Sequence, residues 1–326
     1  MTRIAFVFPG QGSQSVGMGQ ALAGASPAAA AIFAEADAAL GEPISRLAFE
    51  GPAEELDLTV NAQPALLATS IAYLAALRER WAALGVEAPE PAFCAGHSMG
   101  QYSALVAAGV VPLPDALRLV RERGHQMQRS GAGREGRMAA IIGLDDARLP
   151  ELIVAAQLQG IFGVANRNSP GQVVVSGERP AVEAALTIAK ELGARKVIEL
   201  PVSVAAHSPL MAEAAAGMRT VLADIAFADP HPPLRANADG RPLTTAEACR
   251  SELVDHLTTG VDWVTGVRRM VADGVETFVE VGPGRVLTGL IKRIDPDVEA
   301  LASDDQAAPD RLAVPFTNPS PSPSLA

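Results

Sequence analysis

Cysteine, aromatic residues and positive charge are all scarce in this sequence. Its 326 residues include two cysteines, Cys94 in an apolar run and Cys249 in a polar segment, too few for a disulfide framework and suited to a reducing compartment. Lys and Arg number 26 against 37 Asp and Glu, a formal net charge of −11. That balance excludes a long unshielded interface with nucleic acid, and any anionic partner must meet a local basic patch. No His, Cys, Asp or Glu cluster has metal-ligand spacing, so no metal is expected. The apolar run near the N-terminus is too short for a signal peptide, and no uninterrupted apolar stretch of about 18 residues occurs elsewhere. The chain is expected to be a cytoplasmic globular monomer with no membrane partner. What it has in quantity is hydrophobic residues, 48% of the total, enough at this length to bury a sizeable core in one large domain or two.

The order of apolar runs and turn residues predicts an α/β architecture. Residues 3–8 read as a buried strand stopped by Pro9, helical patterns follow through residue 40 and over 63–84, a second strand precedes Gly96, and a helix spans 113–130. Between 131 and 201 the texture changes to strand, helix, two strands, helix, strand, over 138–143, 146–157, 160–166, 172–176, 180–192 and 195–200. That βαββαβ order is the ferredoxin-like unit, able to fold as its own small sheet. The α/β pattern then resumes. These patterns predict a discontinuous large part, 1–130 and 202–302, with 131–201 inserted in it, and a disordered Pro/Ser-rich tail over 303–326.

The stretch Gly96-His-Ser-Met-Gly100 places one serine between two glycines at a strand-to-helix junction. A G-x-S-x-G turn leaves no room for a Cβ at Gly96 or Gly100, strains the serine, and lifts Ser98 above the sheet at a helix N-terminus, where negative charge is favoured. The plainer alternative is a tight turn whose serine only caps the helix. A nucleophilic serine needs a base, usually histidine. Of the five histidines, His97 is aimed elsewhere by the turn, His125 lies within a helix and His231 in a Pro-rich loop. His207 and His256 remain. His207, just before a helix at the exit from the insert, is placed to point back at Ser98, or is simply a loop histidine.

Three arginines follow on the next helix. At about 100° per residue, Arg123 falls roughly 60° from the centre of the apolar face, Arg121 roughly 100° and Arg118 roughly 160°. Arg123 is the inward one. A buried guanidinium needs an anion, either a substrate carboxylate held by its planar fork or a structural Asp or Glu; Arg118 and Arg121 are expected to be solvated. Gly10-Gln-Gly-Ser-Gln14 has Ser15 where a dinucleotide fingerprint wants its third glycine, and no phosphate-binding Gly-Lys-Ser/Thr is present, so a nucleotide cofactor is disfavoured. Such a turn can instead bring its backbone and the Gln11 amide to a reacting oxygen.

Taken in order, Phe8-Pro-Gly-Gln-Gly-Ser-Gln14, Gln63-Pro-Ala-Leu-Leu67, Gly96-His-Ser-Met-Gly100, Arg123-Gly-His-Gln-Met-Gln128, Asn168-Ser-Pro-Gly-Gln-Val173, Pro201-Val-Ser-Val-Ala-Ala-His207 and Glu280-Val-Gly-Pro-Gly284 resemble the malonyl-CoA:acyl carrier protein transacylases and the acyltransferase domains of polyketide synthases. The resemblance implies an α/β-hydrolase-like core with a ferredoxin-like insert, malonyl-CoA as substrate with no bound cofactor, and an acyl carrier protein as partner in fatty-acid or polyketide synthesis. It implies that Ser98 is acylated, that His207 is its base, that Arg123 grips the malonyl carboxylate, and that Gln11 and the Met99 main-chain N–H form the oxyanion hole. Gln63, Asn166 and Asn168 would line the site, and the main-chain carbonyl of His256 would orient His207. Two positions depart from the family's usual pattern. Gln101 stands where Glu is common, which alters a contact behind the nucleophile, and His256 stands where Gln or Asn is usual, which leaves the carbonyl intact and adds a second histidine near the site.

On the same reading Ala206, next to the base, borders the acyl pocket. The long side chain of Met99 would fill the space an α-methyl group needs, so malonyl is expected to be preferred over methylmalonyl by a modest margin. Arg285, Lys292 and Arg293, on the helix after Gly-Pro-Gly, form the candidate basic patch for the anionic carrier. Two rivals remain. One is a thioesterase or esterase of the hydrolase class, which usually carries Asp or Glu between Ser and His in chain order; the other is a catalytically silent carrier-docking domain, against which the intact Ser98, His207 and Arg123 argue.

Overall fold

The computed structural model describes residues 3–131, 135–200 and 204–304. Five consecutive buried residues form β1 (Ile4–Phe8), and β2 (Phe93–Gly96) lies beside it in parallel. Between them runs α1 (Thr59–Ala83), long and apolar enough on length and composition to cross a bilayer but mostly buried against its neighbours, as a core helix is. After β2 come α2 (Gly100–Ala107) and α3 (Leu113–Gly131). The chain then forms β3 (Gly136–Ile142), α4 (Leu149–Gln157), β4 (Phe162–Ser169), β5 (Gln172–Glu178), α5 (Arg179–Glu191) and β6 (Lys196–Glu199). It returns through β7 (Leu234–Arg235), β8 (Pro242–Leu243), α6 (Ala246–Thr259), β9 (Val261–Asp262), β10 (Thr277–Glu280), α7 (Val286–Ile294) and β11 (Glu299–Ala302).

The larger sheet has the order β11-β10-β1-β2-β7-β8, parallel except for its last pair. Its central strands are covered on both faces, which is why they read as unbroken apolar runs. β1 pairs with the next strand in sequence on one side and with a late strand on the other, so the winding reverses around it and leaves a crevice beyond the strand C-termini.

The smaller sheet has the order β6-β3-β5-β4-β9. Its first four strands carry the ferredoxin-like arrangement. Ala139 and Ile141 of β3 face α4 and α5, while Met138 on the same strand joins the main core, the alternation a strand dictates. The fifth strand, β9, comes from outside the 131–201 segment and pairs in parallel with Asn166 and Arg167 of β4. No periodicity predicts it, because two residues are too few to alternate.

Three local expectations are corrected. The helix expected over 146–157 is a 3-10 turn, Asp146–Arg148, followed by α4, with Pro150 in the first turn where its missing N–H costs nothing. Cys249, expected in a polar segment, is buried on α6. The expected tail from 305 onward lies outside the described residues, but Ser303 and Asp304 belong to the fold: Ser303 Oγ accepts the Gly282 N–H at 3.0 Å and Asp304 pairs with Arg285.

Candidate active site

β1 and β2 pair in register up to Phe8 and Gly96, so the turns that follow them meet at the edge of the large sheet. Ser98 lies in the left-handed region with φ 52°. A Cβ on Gly96 would fall 2.0 Å from the Gly100 carbonyl carbon, and one on Gly100 would fall 2.2 Å from the Phe8 carbonyl oxygen. Both glycines are therefore demanded by close backbone approach. Gln101, buried in the first turn of α2, accepts the Gly96 N–H at 3.1 Å and donates to the Arg235 carbonyl at 2.9 Å. The amide thus fastens the serine turn to β7, and an ionised glutamate could make only the first of these contacts.

His207 Nε2 lies 2.7 Å from Ser98 Oγ, and its Nδ1 lies 2.7 Å from the carbonyl oxygen of His256. A carbonyl only accepts, so Nδ1 carries the hydrogen and Nε2 is left to accept from the serine hydroxyl. Burial first, and then the Arg123 charge, push His207 down to about 3, with the carbonyl of His256 opposing them. The imidazole is neutral and free to take a proton. His207 is itself left-handed, with φ 58°, so backbone strain is concentrated on this pair. The His256 ring stands edge-on to that of His207 and is buried, with neither nitrogen partnered among the described residues; burial holds it well below the ordinary histidine range.

Arg123 is 1% exposed. It donates to Gln63 Oε1 at 2.8 Å and to Ser98 Oγ at 3.2 Å, and its guanidinium stands over the Tyr102 ring. Among the described residues no carboxylate pairs with it. Gln63, expected to line the site, does not. It is buried on α1 behind Arg123, holding the guanidinium with its carbonyl while its amide approaches Met127 Sδ. Arg118 is paired at the surface with Asp115, whereas Arg121, expected to be solvated, is half-buried and holds Asn61 and Glu42.

A cavity of about 470 Å³ opens over Ser98. Its polar floor includes Arg123, His207, Asn166 and Asn168, and Ala206 is part of its largely apolar wall. Asn168 Oδ1 lies 2.9 Å from His97 Nε2. His97, set aside as aimed away from the serine, thus lines the same cavity on its small-sheet side. Met99 is corrected in the opposite sense. Its side chain is 0% exposed within the core and does not line the cavity, so it cannot fill the space of an α-methyl group; Met127 and Met138 supply the thioethers there. The main-chain N–H groups of Gln11 and Met99 have no partner among the described residues. The Gln11 side-chain amide is engaged with Thr59 Oγ1 at 3.3 Å, so its backbone is the donor left for a reacting oxygen. The three cations of the expected carrier patch are each held by the chain itself: Arg285 by Asp304, Lys292 by the Val298 carbonyl and Arg293 by Gln172.

A sequence model of the acyl transferase domain family matches residues 5–304. The malonyl CoA-acyl carrier protein transacylases of Escherichia coli (strain K12) and Bacillus subtilis (strain 168) are 47% and 43% identical to the chain, over 94% of it in both cases and 98% and 94% of their own lengths. The crystal structure of an acyl-carrier-protein-S-malonyltransferase from Bartonella henselae matches with a TM-score of 0.92 at 42% identity, covering 96% of this chain and 99% of that one. A malonyl-transacylase solved in complex with a type II PKS acyl-carrier protein matches with a TM-score of 0.90 at 42% identity, over 96% and 100%. An α/β-hydrolase-like core with a ferredoxin-like insert, a serine turn and coverage of nearly the whole chain by these relatives lead to one conclusion: this chain is an acyltransferase belonging to the acyl transferase domain family.

Proposed function

We propose that the protein moves a malonyl group from malonyl-CoA to the phosphopantetheine thiol of an acyl carrier protein, by a ping-pong mechanism with a malonyl-Ser98 intermediate. The observation that carries this reading is Arg123, a buried guanidinium 3.2 Å from Ser98 Oγ with no carboxylate partner among the described residues. A buried cation without an anion is costly. A malonyl group, whose carboxylate is one methylene from the carbonyl under attack, brings the missing anion to that spot.

In the first half-reaction Ser98 Oγ gives its proton to His207 Nε2 and bonds to the thioester carbon. The carbonyl oxygen takes the negative charge and faces the N–H groups of Gln11 and Met99. Collapse breaks the C–S bond, and coenzyme A leaves as the thiol with the proton from His207. In the second half the carrier thiol yields its proton to His207, its sulfur attacks the ester carbon, and Ser98 departs and regains the proton. The His256 carbonyl orients the base, Gln63 positions Arg123, and Asn166, Asn168 and Ala206 border the acyl group. Burial and then the Arg123 charge depress the basicity of His207; a bound malonyl carboxylate offsets the second of these, so the base strengthens when the correct acid is present. The reading takes 131–201 as a unit inserted between 1–130 and 202–302, in a monomer acting in the cytoplasm.

The hydrolase reading has less support, since the base is oriented by a main-chain carbonyl where such enzymes usually use Asp or Glu. Intact mass after mixing with malonyl-CoA tests the choice. A malonyl adduct that is discharged by carrier protein and is absent in Ser98→Ala is the expected result. Release of free malonate without carrier would favour the hydrolase, and no reaction would leave only docking.

A further inference from the structure

We infer that Asn237 is a positioning residue for acyl transfer, holding the main-chain N–H of Ser98 and tying nucleophile and base to a single helix. The inference rests on the acyl-Ser98 reading above. A non-glycine residue keeps a left-handed backbone only where its surroundings hold it. In the serine turn, the carbonyls of His97 and Ser98 already accept from Gly100 and Gln101 at the start of α2. The Ser98 N–H points the other way and donates to Asn237 Oδ1 at 2.9 Å.

The sheet explains why Asn237 is within reach. β7 runs parallel to β2 with Leu234 opposite Cys94, so residues just beyond the C-terminal ends of the two strands are neighbours. Asn237 is itself clamped. Its N–H donates to Glu252 Oε1 at 2.6 Å, and its carbonyl accepts from the Asp262 N–H at 2.7 Å. Asn237 is 4% and Glu252 2% exposed, so water does not compete for these bonds. Glu252 and His256 lie one turn apart on α6, and the His256 carbonyl holds His207 Nδ1. One helix thus sets the serine through Glu252 and Asn237, and sets the base through a carbonyl. The 2.7 Å approach of Oγ to Nε2 closes that loop. The chain keeps a buried carboxylate near the Ser98–His207 pair but uses it to hold the backbone of Asn237, whose side chain in turn holds the Ser98 N–H.

Asn237 does not line the cavity, so its loss should act on the rate of acylation and leave substrate binding alone. The test is single-turnover acylation of the full chain by malonyl-CoA, followed by intact mass with the adduct mapped to its peptide. Asn237→Leu keeps the shape and removes the acceptor. It is expected to slow acylation of Ser98 on the order of 10- to 100-fold, with the concentration dependence on malonyl-CoA shifted less than about twofold. An unchanged rate, or a binding loss that accounts for the whole effect, would overturn the inference. If Asn237→Leu does not fold, Glu252 decides. Glu252→Gln keeps the oxygen that accepts the Asn237 N–H and should stay within about threefold of the unaltered protein, whereas Glu252→Ala should be slower by about tenfold or more. Equal rates for these two variants would overturn it. Failure of the unaltered protein to form an adduct at Ser98 would instead remove the acyl-serine reading, and would be seen before any variant is compared.

Discussion

Among the described residues Arg123 has two side-chain hydrogen-bond partners, Gln63 and Ser98, neither of them charged. Replacing it therefore strands no buried anion among the described residues, and on the proposed function the loss falls on the substrate's carboxylate. Arg123→Ala is expected to weaken malonyl transfer by about 2–5 kcal/mol and to leave acetyl transfer equal or improved, since acetyl has no carboxylate to lose. Steady-state rates with the two thioesters check this, and a parallel fall in both would make Arg123 structural. His207 supports a second expectation. With its basicity pushed down to about 3 by burial and Arg123, the imidazole of the free protein is already neutral across the working range, so kcat/KM for acylation by malonyl-CoA, which reports the free protein, should be flat between about pH 5 and 8. An inflection near 6.5 would place the base in a wetter site. The inward angle of Arg123 was legible from helical periodicity alone. Asn237 was not, because a loop asparagine between short strands carries no period, and its role exists only through the neighbouring strand.

At the scale of elements, the Glu280-Val-Gly-Pro-Gly stretch gains a physical reason. The buried Glu280 carboxylate accepts from the N–H groups of Leu287 and Thr288 and from the Thr288 hydroxyl, at 3.0, 2.7 and 2.7 Å. It thereby caps the N-terminus of α7, where Arg285 supplies no side-chain cap. Leu287 and Leu290 of that helix line the cavity. Glu280→Ala is expected to cost about 1–3 kcal/mol of stability and to raise KM for the acyl donor as α7 loosens, while Glu280→Gln, which retains an acceptor oxygen, should lose less. Denaturant titration and KM measured together check both parts. A stability loss with an unchanged KM would separate the cap from the site. The strands and helices of the insert could be read from alternating and helical patterns. β9 could not, since its pairing depends on α6 delivering two residues to the free edge of β4.

For the molecule as a whole, three imidazoles gather at one place: His97 and His207 line the cavity, and His256 is buried behind His207. His97, His207 and His256 are each lowered, in every case by burial first. The unfolded chain protonates these three histidines near 6.5 and the folded chain holds their protonation to lower pH, so below 6.5 the unfolded state binds more protons through them and stability falls as pH falls. Each fully neutral buried histidine contributes a slope of about 1.4 kcal/mol per pH unit. Glu252 and Glu280 act in the opposite sense. Both are raised by burial, so the folded chain takes up their protons first and part of the loss is offset as pH approaches the carboxylate range. Thermal melts should show a falling Tm from about pH 6.5 to 5, with a shallower slope in His256→Gln. A Tm that stays level over that interval would mean water reaches these rings.

The sequence alone determined the α/β class, the inserted βαββαβ unit, the serine turn and the inward arginine, because each is written in a local pattern: strand or helix period, a glycine spacing, an angle around one helix. Local pattern left His207 and His256 both open as partners of the serine; the arrangement that the family resemblance implied, His207 against Ser98 with the His256 carbonyl behind it, is a matter of tertiary structure. Tertiary structure also moved Gln63 out of the cavity and behind Arg123, and Met99 into the core. Those outcomes depend on distances between residues far apart in the chain, such as the 109 positions separating Ser98 from His207, and no period within a segment encodes the packing that brings its ends to another segment.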